Sequence, residues 1–465
     1  MHYLTRGAPG WRSAWSRARS AHPDRCAALP APYLPNVNWT PLFVAFVLFI
    51  FMTTSYRLNI GSAVMAIGVF GVCLQRDSIR FPLPLLLFGA FILWSYFSFS
   101  HWVFREVTFE HLIDLDKVWL IGLVAANALR TRGELRVFTL VFLVSFALFP
   151  VRGAMVNSFV YHYARTFWAG VFGNPNDLAA MVLLQVSMLL GLLATERSRW
   201  VRAMAALGVV VFPVVILLTQ SRGALLATGV FVLFLFVKTK RRGRLLLKLA
   251  VVAALIVPLA PKSTWDRLGG LGKMTSSETF EDVDPEGSAR NRYNIWRVAS
   301  LIIHDHPVTG VGSGAYPFAH EVYSVQNNFD RRDQGRRDTH STYLNILAEN
   351  GAPGFVLFLA MLASALWDAE RVRRRCRHAL PREAEQLALL QCGVLSFLFA
   401  GLFGSFGYIS FLYIQLMLVW STARACERDL DALPPLSDAP NQPRRATRAS
   451  MMLALPVNAR PQVSH

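Results

Sequence analysis

The sequence predicts an all-α protein that crosses a membrane many times, and three observations support this fold class. Of its 465 residues, 54% are hydrophobic and only 16% are charged, a balance that is rare in soluble domains. Apolar runs of about twenty residues, the length of a membrane-crossing helix, recur along the chain. Lysine and arginine concentrate in alternate connections between these runs. Membrane orientation therefore explains the net charge of +18, and no nucleic-acid partner is expected.

Twelve hydrophobic spans are predicted, each suited to one crossing. The stretch 201–237 is too long for a single helix across a bilayer, and the polar break Thr219-Gln-Ser-Arg222-Gly223 divides it. The spans cover residues 41–56, 59–75, 82–103, 112–129, 136–156, 176–195, 201–219, 222–238, 245–260, 353–368, 386–404 and 407–424.

Basic residues orient these spans. A cytoplasmic N-terminus places most of the 47 lysines and arginines in inner connections and tails, as the positive-inside rule requires. Both termini are therefore predicted inside, and the long polar segment 261–352 outside. Residues 1–40, which lack the apolar core of a signal peptide, and 426–465 are predicted to be disordered cytoplasmic tails. Spans 1–9 then occupy 41–260, and spans 10–12 occupy 353–425.

The long polar segment carries a predicted amphipathic helix at residues 292–305. Loops of this length are usually functional or disordered, and the placed aromatic and basic residues favour function. Trp296, one turn after Arg292, would anchor the apolar face of the helix at the membrane interface. Arg292 could contribute to an anion site there, and Arg290 is an alternative donor that spacing does not exclude.

A turn follows this helix. His306-Pro307 ends the helix because proline disfavours its continuation, and three glycines at 310, 312 and 314 form a turn with a predicted structural role. His304 and His306 have no third ligand at a defined spacing, so no metal site is predicted.

His340 is the strongest catalytic candidate. It precedes a predicted helix from Tyr343 to Glu349 that stops at Asn350-Gly351. A neutral imidazole can accept a proton from a hydroxyl near physiological pH; packing or capping at the helix start is the alternative. Glu349 lies too far along this helix to contact His340. The preceding charged stretch, 330–338, is predicted to be a solvated, mobile loop.

Three further polar features lie at outer ends of spans. Arg222, at the break between spans 7 and 8, either extends to the membrane surface or binds an anion such as a lipid phosphate. Asn174 belongs to a turn that would cap span 6, with a site role as the alternative. The residues Asp114, Asp116 and Lys117 form either a local ion pair or a polar cavity wall.

The ordered motifs of the chain resemble the bacterial O-antigen ligase family, which includes related polymerases and protein O-oligosaccharyltransferases. The resemblance covers about residues 40–425. It rests on five elements: Gly170-Val-Phe-Gly-Asn174-Pro-Asn-Asp-Leu-Ala179, Thr219-Gln-Ser-Arg222-Gly-Ala224, Arg292-x-x-x-Trp296, His306-Pro-x-x-Gly-x-Gly312 and His340-Ser-x-Tyr-Leu-x-x-Leu-x-Glu349-x-Gly351-x-x-Gly354.

This resemblance implies a multi-pass protein of the bacterial inner membrane with a helical periplasmic loop between spans 9 and 10. It implies metal-independent glycosyl transfer, without a cofactor, from a glycan on undecaprenyl diphosphate to an acceptor hydroxyl among membrane lipids. By position, His340 would activate the acceptor, and Arg222 and Arg292 would hold the diphosphate. Arg290, Trp296, Asn174 and Glu349 are secondary candidates.

Several functions fit these motifs. The leading hypothesis is ligation of the glycan to lipid A-core or a similar glycan. A repeat-unit polysaccharide polymerase and an oligosaccharyltransferase acting on protein Ser/Thr are alternatives of the same chemistry. A transporter of lipid-linked sugars is a further alternative, but transporters place charges or broken helices at the bilayer midplane. Here the polar residues lie mostly at outer span ends, which favours catalysis at the membrane surface.

Overall fold

The computed structural model describes most of the chain from residue 61 to residue 433. The described residues are 46–47, 50, 61–74, 79–98, 102–163, 165–168, 172–239, 242–259, 265 and 288–433. Most of the predicted span 41–56 and of the segment 261–287 lies outside them, as do the predicted N-terminal tail and the C-terminal tail beyond residue 433.

The described residues form helices and no strands, which confirms the all-α class for this part of the chain. The first half contains α1 (Gly61–Cys73), α2 (Leu83–Phe97), α3 (Arg105–Ala128), α4 (Arg132–Phe146), α5 (Arg152–Phe159), α6 (Pro175–Thr195) and α7 (Arg199–Thr219). The second half contains α8 (Arg222–Lys238), α9 (Arg242–Ile256), α10 (Ser288–Asp305), α11 (Tyr316–Gln326), α12 (Thr342–Cys376), α13 (Pro381–Ala400) and α14 (Ser410–Asp431).

Every predicted span from 59–75 onward falls on a helix. By length and hydropathy, four described helical stretches are candidate membrane spans: Arg132–Phe159, Pro175–Thr195, Arg199–Thr219 and Thr342–Cys376. The total of twelve crossings and the periplasmic position of the loop stay predictions. The last helix continues to Asp431, past residue 425, where the membrane region was predicted to end.

Local sequence explains several helix boundaries. Thr131 and Glu134 form a reciprocal capping box at the start of α4. α4 and α5 are joined by a π-helical turn, Ala147–Val151, that contains Pro150. Proline has no N–H to donate to the preceding turn, so the helix widens there while continuing in the same stretch.

The helices pack around one large apolar core. α6 lies between α7 and α13, and α12 packs on α2 and α14. Buried aromatic rings fill this core, with Phe88 stacked on Tyr413 and Phe142 against Phe411. In a membrane, lipid competes equally for apolar surface, so close packing stabilises such a bundle more than exclusion of water does.

Ion pairs between helices gather at one end of the bundle, which we call the charged end. Arg132 at the start of α4 pairs with Glu383 of α13 at 3.0 Å and with Asp429 of α14. Arg136 pairs with Glu196 at 2.7 Å. All of these residues come from connections or span ends that are predicted to be cytoplasmic.

The segment 288–352 builds a second, smaller core at the other end. α10, α11 and the first turns of α12 surround it, with Ile295, Ile302, Tyr316 and Ala348 buried. The apolar face of α10 therefore packs on α11, and the prediction that it rests on the membrane interface is wrong. The sequence of α10 shows an apolar face but does not show which partner covers it.

A glycine-rich turn connects this second core to the bundle. Gly310 and Gly312 adopt positive φ of 66° and 107°, and the N–H of Gly312 donates to the Glu349 carbonyl at 3.0 Å. A Cβ on Gly312 would collide with the Thr108 side chain of α3, and one on Gly310 would collide with the backbone of Glu349. These contacts account for the structural role predicted for the glycines.

Candidate active site

His340 sits on a backbone turn that the surrounding residues hold in place. Its φ is +49°, a left-handed conformation that is uncommon for a residue other than glycine and recurs at functional sites. The indole N–H of Trp296 donates to the Thr339 carbonyl at 3.0 Å. The Thr339 hydroxyl bonds to Asn345 Oδ1 at 3.0 Å and to the Ser405 hydroxyl at 2.7 Å. α10, α12 and the α13–α14 connection thus fix this turn together.

The His340 side chain lines a positively charged cavity of about 270 Å³. Four arginines and one carboxylate share its wall, so the cavity favours an anion with several oxygens. The lining residues are Arg165, Asn176, Asn291, Arg292, Ile295, Arg332, Asp333, Arg337 and His340. Arg292 and His340, predicted from sequence, therefore lie in one site.

The cavity favours the neutral form of His340. Burial is the main cause that lowers the pKa of His340 below its usual value, and the positive charges of Arg292 and Arg337 lower it further. Asp338 acts in the opposite direction, with its Oδ2 3.9 Å from His340 Nδ1. The side chain is still 33% exposed, so a neutral imidazole is available to accept a proton.

Arg165 is a cavity residue that sequence reasoning missed, whereas Asn176 belongs to the turn for which a site role was the alternative. Arg165 Nε donates to the Thr219 carbonyl at 3.0 Å, and its Nη2 donates to Asn176 Oδ1 at 3.1 Å. These bonds join the α5–α6 connection to the end of α7. The available signal was one arginine beside the Asn-Pro-Asn turn, but only the fold shows that this arginine reaches the cavity.

Arg222 is near this site but does not line the described cavity. It begins α8 after Ser221, whose hydroxyl accepts from the Ala224 N–H at 3.4 Å. The preceding Gln220 adopts a φ of +53° and turns the chain between α7 and α8. Arg165 contacts Thr219 in the same turn, which links Arg222 to the cavity through the backbone. Joint binding of one diphosphate by Arg222 and Arg292 stays a prediction.

The charged stretch 330–338 is mostly exposed to solvent, as predicted, but hydrogen bonds hold part of it against the site. Asp333 is 8% exposed and accepts from the Asn294 side chain at 2.7 Å. The Gly335 carbonyl lies 2.8 Å from His320 Nδ1. Arg337 Nη2 donates to the Arg332 carbonyl at 2.8 Å. The first two contacts come from α10 and α11, so the local charge pattern could not reveal them.

None of the four secondary candidates lines the cavity; Trp296 bonds to the Thr339 carbonyl, as described above. Arg290 is exposed and 4.0 Å from Asp330. Asn174 caps α6 by accepting from the Asn176 N–H at 2.9 Å, the capping role expected from its turn. Glu349 is buried and accepts from the Tyr316 N–H at 3.0 Å and the Tyr408 hydroxyl at 2.6 Å. These bonds hold Glu349 beside the glycine turn, and neither of them involves His340.

The other charged candidates form local pairs. Lys117 pairs with Asp114 at 2.8 Å on the exposed surface of α3, and His304 lies 3.1 Å from Asp305. Among the residues that the structure describes, no cluster of three or more His, Cys, Asp or Glu side chains could hold a metal ion. The cavity around His340 offers a phosphate the guanidinium groups of its arginines.

The comparison with protein families agrees with the motifs. Residues 207–359 match the sequence model of the family described as O-antigen ligase. The match includes the α7–α8 turn, α10, the glycine turn and His340. No curated protein is similar enough to the chain to be matched. Over residues 207–359, about a third of its length, the chain is therefore similar to the O-antigen ligase family.

Proposed function

We propose that this protein transfers a glycan from undecaprenyl diphosphate to a hydroxyl of lipid A-core or a similar glycan. The reaction would take place on the periplasmic face of the bacterial inner membrane. One observation carries the proposal: His340 shares its cavity with four arginines. This combination offers a base for the acceptor and positive charge for a departing diphosphate.

The proposed reaction is a single displacement at the anomeric carbon. Neutral His340 accepts the proton of the acceptor hydroxyl while the hydroxyl oxygen forms the new glycosidic bond. The bond from the anomeric carbon to the diphosphate oxygen breaks, and the leaving diphosphate takes the electron pair. Arg292, Arg165 and Arg222 would stabilise the charge that develops there. Attack opposite the leaving group inverts the anomeric configuration.

The position of the cavity suits a lipid-linked donor. Its wall comes from the α5–α6 connection, α10 and the segment before α12, all at helix ends. A prenyl chain could stay in the bilayer while its diphosphate reaches the arginines. A transporter would need a polar path near the middle of the bundle, whereas the cavity residues lie in connections and at helix ends.

The first test measures transfer by the purified full-length protein with a lipid-linked glycan donor. Lipid A-core, a growing polysaccharide and a Ser/Thr peptide compete as acceptors, because polymerase and protein-transferase activities share this chemistry. We expect lipid A-core to be the preferred acceptor. Preference for the polysaccharide or the peptide would assign the chain to one of those activities instead.

The second test replaces His340. His340→Ala should lower the transfer rate by about 10²–10⁴-fold, the usual contribution of a general base. His304→Ala, an exposed histidine of the same segment, is the matched control and should keep wild-type activity. A folded His340→Ala protein with the wild-type rate would rule out the role of His340 as base.

The third test separates the arginines. Arg292→Ala, Arg165→Ala and Arg222→Ala should each lower donor use by about 10²–10³-fold, and lysine should restore it only in part because the planar fork is lost. Arg331→Ala, next to a cavity residue but not in the cavity wall, should have little effect. Activity should persist in EDTA; inhibition reversed by a divalent ion would require a metal in the mechanism.

A further inference from the structure

A second cavity of about 470 Å³ lies at the charged end, opposite the candidate active site. It is formed by the starts of α4 and α13 and the ends of α6 and α14. Four arginines face three carboxylates in its wall, and leucines supply part of the remainder. The charged residues are Arg132, Arg136, Arg197, Arg382, Glu196, Glu383 and Asp429; the leucines are Leu135, Leu192 and Leu380.

Within the described residues, some N–H groups of these arginines have no hydrogen-bond acceptor. Arg132 pairs through Nε with Asp429 and through Nη1 with Glu383, but its buried Nη2 has no hydrogen-bond acceptor among the described residues. Buried donors are nearly always paired in proteins. The unpaired Nη2 therefore points to an acceptor supplied from outside the chain.

Two more arginines are available to such an acceptor. Arg197 and Arg382 are exposed, and within the described part of the chain their side chains form no hydrogen bond or ion pair. By contrast, Arg136 is paired with Glu196. The cavity thus combines an unpaired buried donor with two uncommitted guanidinium groups, and it carries a surplus of positive charge.

These features select a phosphate-bearing ligand. Guanidinium groups bind phosphate oxygens in a planar, bidentate geometry, and the leucines offer an apolar surface beside them. Basic pockets between membrane helices on the cytoplasmic side typically hold anionic lipid headgroups. The surplus positive charge disfavours the amine of a zwitterionic headgroup. We propose that this cavity binds the phosphate of an anionic phospholipid headgroup.

The test compares lipids by their effect on the thermal unfolding of the purified, delipidated full-length protein. Phosphatidylglycerol should raise Tm more than phosphatidylcholine does. In Arg197→Gln/Arg382→Gln, this phosphatidylglycerol-specific shift should fall by at least half. Arg202→Gln is the matched control, since Arg202 is an exposed arginine at the same end that does not line the cavity; it should keep the full shift.

Two outcomes would overturn the proposal: equal shifts with both lipids in the wild type, or a full phosphatidylglycerol shift in the double variant. Glycerol phosphate without lipid separates the two sources of phosphate. No shift with glycerol phosphate supports a lipid ligand, whereas a shift equal to that of phosphatidylglycerol would identify a soluble phosphate compound instead. The double variant should have the lipid-free Tm of the wild type, which shows that a loss of the lipid shift is not caused by misfolding.

Discussion

His340 can act as a base only while its ring is neutral. Burial and three charged neighbours set its pKa, and so the pH below which the ring becomes charged. Burial, Arg292 and Arg337 lower its pKa, and Asp338 raises it. An activity that requires the neutral ring is therefore lost at a lower pH than it would be with an ordinary histidine. The pH profile is the measurement that reports on these contacts.

Asp338→Asn should move the acid limb of kcat/KM to lower pH. Removing the carboxylate removes the one charge that favours the imidazolium, so the pKa of His340 falls further. The pair is partly exposed, so solvent screens part of this effect. Arg337→Gln should move the limb in the opposite direction because it removes a charge that disfavours the imidazolium.

The control for this pair is Asp330→Asn, which alters an exposed carboxylate of the same stretch and should leave the limb in place. Only the midpoint of the limb is compared, because Arg337 also lines the cavity and its replacement can lower the rate. An acid limb that stays fixed in both Asp338→Asn and Arg337→Gln would belong to a group other than His340.

For single residues, the sequence predicted a site role where the side chain itself suits the chemistry. His340 and Arg292 were predicted as site residues from their residue types and motifs, and the structure places them in one cavity. Arg165 was not predicted as a site residue, because its place in the cavity depends on bonds to Thr219 and Asn176. No local property of Arg165 distinguishes it from other arginines at span ends.

Among the elements, the glycine turn at 310–314 connects the two cores. N–H groups of this turn donate hydrogen bonds to backbone carbonyls near the end of the first part of α12. Gly351 breaks the helix just after these carbonyls, with a φ of +64°. The Asn-Gly pair predicted this break from sequence. The partner of the turn on α3 could not be predicted, since Thr108 is about two hundred residues away in the chain.

Gly312→Ala should destabilise the protein more than Gly335→Ala. Both glycines have positive φ, at +107° and +92°, so both substitutions add backbone strain of about 1–2 kcal/mol. Only Gly312 meets a neighbour, Thr108, while the space around Gly335 is open. The clash should add about 1–3 kcal/mol, measured as a larger fall in Tm.

Thr108→Ala combined with Gly312→Ala should recover part of this loss, because it removes the hydroxyl that the new methyl group would meet. Equal Tm for Gly312→Ala and Gly335→Ala would mean that the close approach to α3 does not constrain the turn. Gly229→Ala, at an open position within α8, serves as the reference for a substitution without positive φ.

Across the whole molecule, the two ends of the bundle carry different sets of charged residues. Ion pairs from predicted inner connections meet at the charged end, and the His340 cavity lies among predicted outer connections. The sequence predicted this division because lysine and arginine distribution and apolar length are properties of the chain itself. It could not predict the second core, because that core depends on how α10 and α11 pair.

Cysteine labelling tests the predicted orientation. In a background with Cys26 and Cys73 replaced by serine, a membrane-impermeant maleimide should label Arg331→Cys in spheroplasts. It should label Ala379→Cys only after the membrane is opened; both positions are exposed. Labelling in the reverse order would invert the topology and would move the His340 cavity to the cytoplasmic side.

The close fit between the glycine turn and α3 limits which segments of this protein can be exchanged. Gly314 leaves no room for a side chain beside His111, to which a Cβ would lie within 2.6 Å. A chimaera that exchanges residues 288–352 with a relative must therefore also carry over the first turns of α3. Segment 288–352 and the start of α3 thus form one packing unit, and a bulkier residue in the glycine turn requires compensating substitutions on α3.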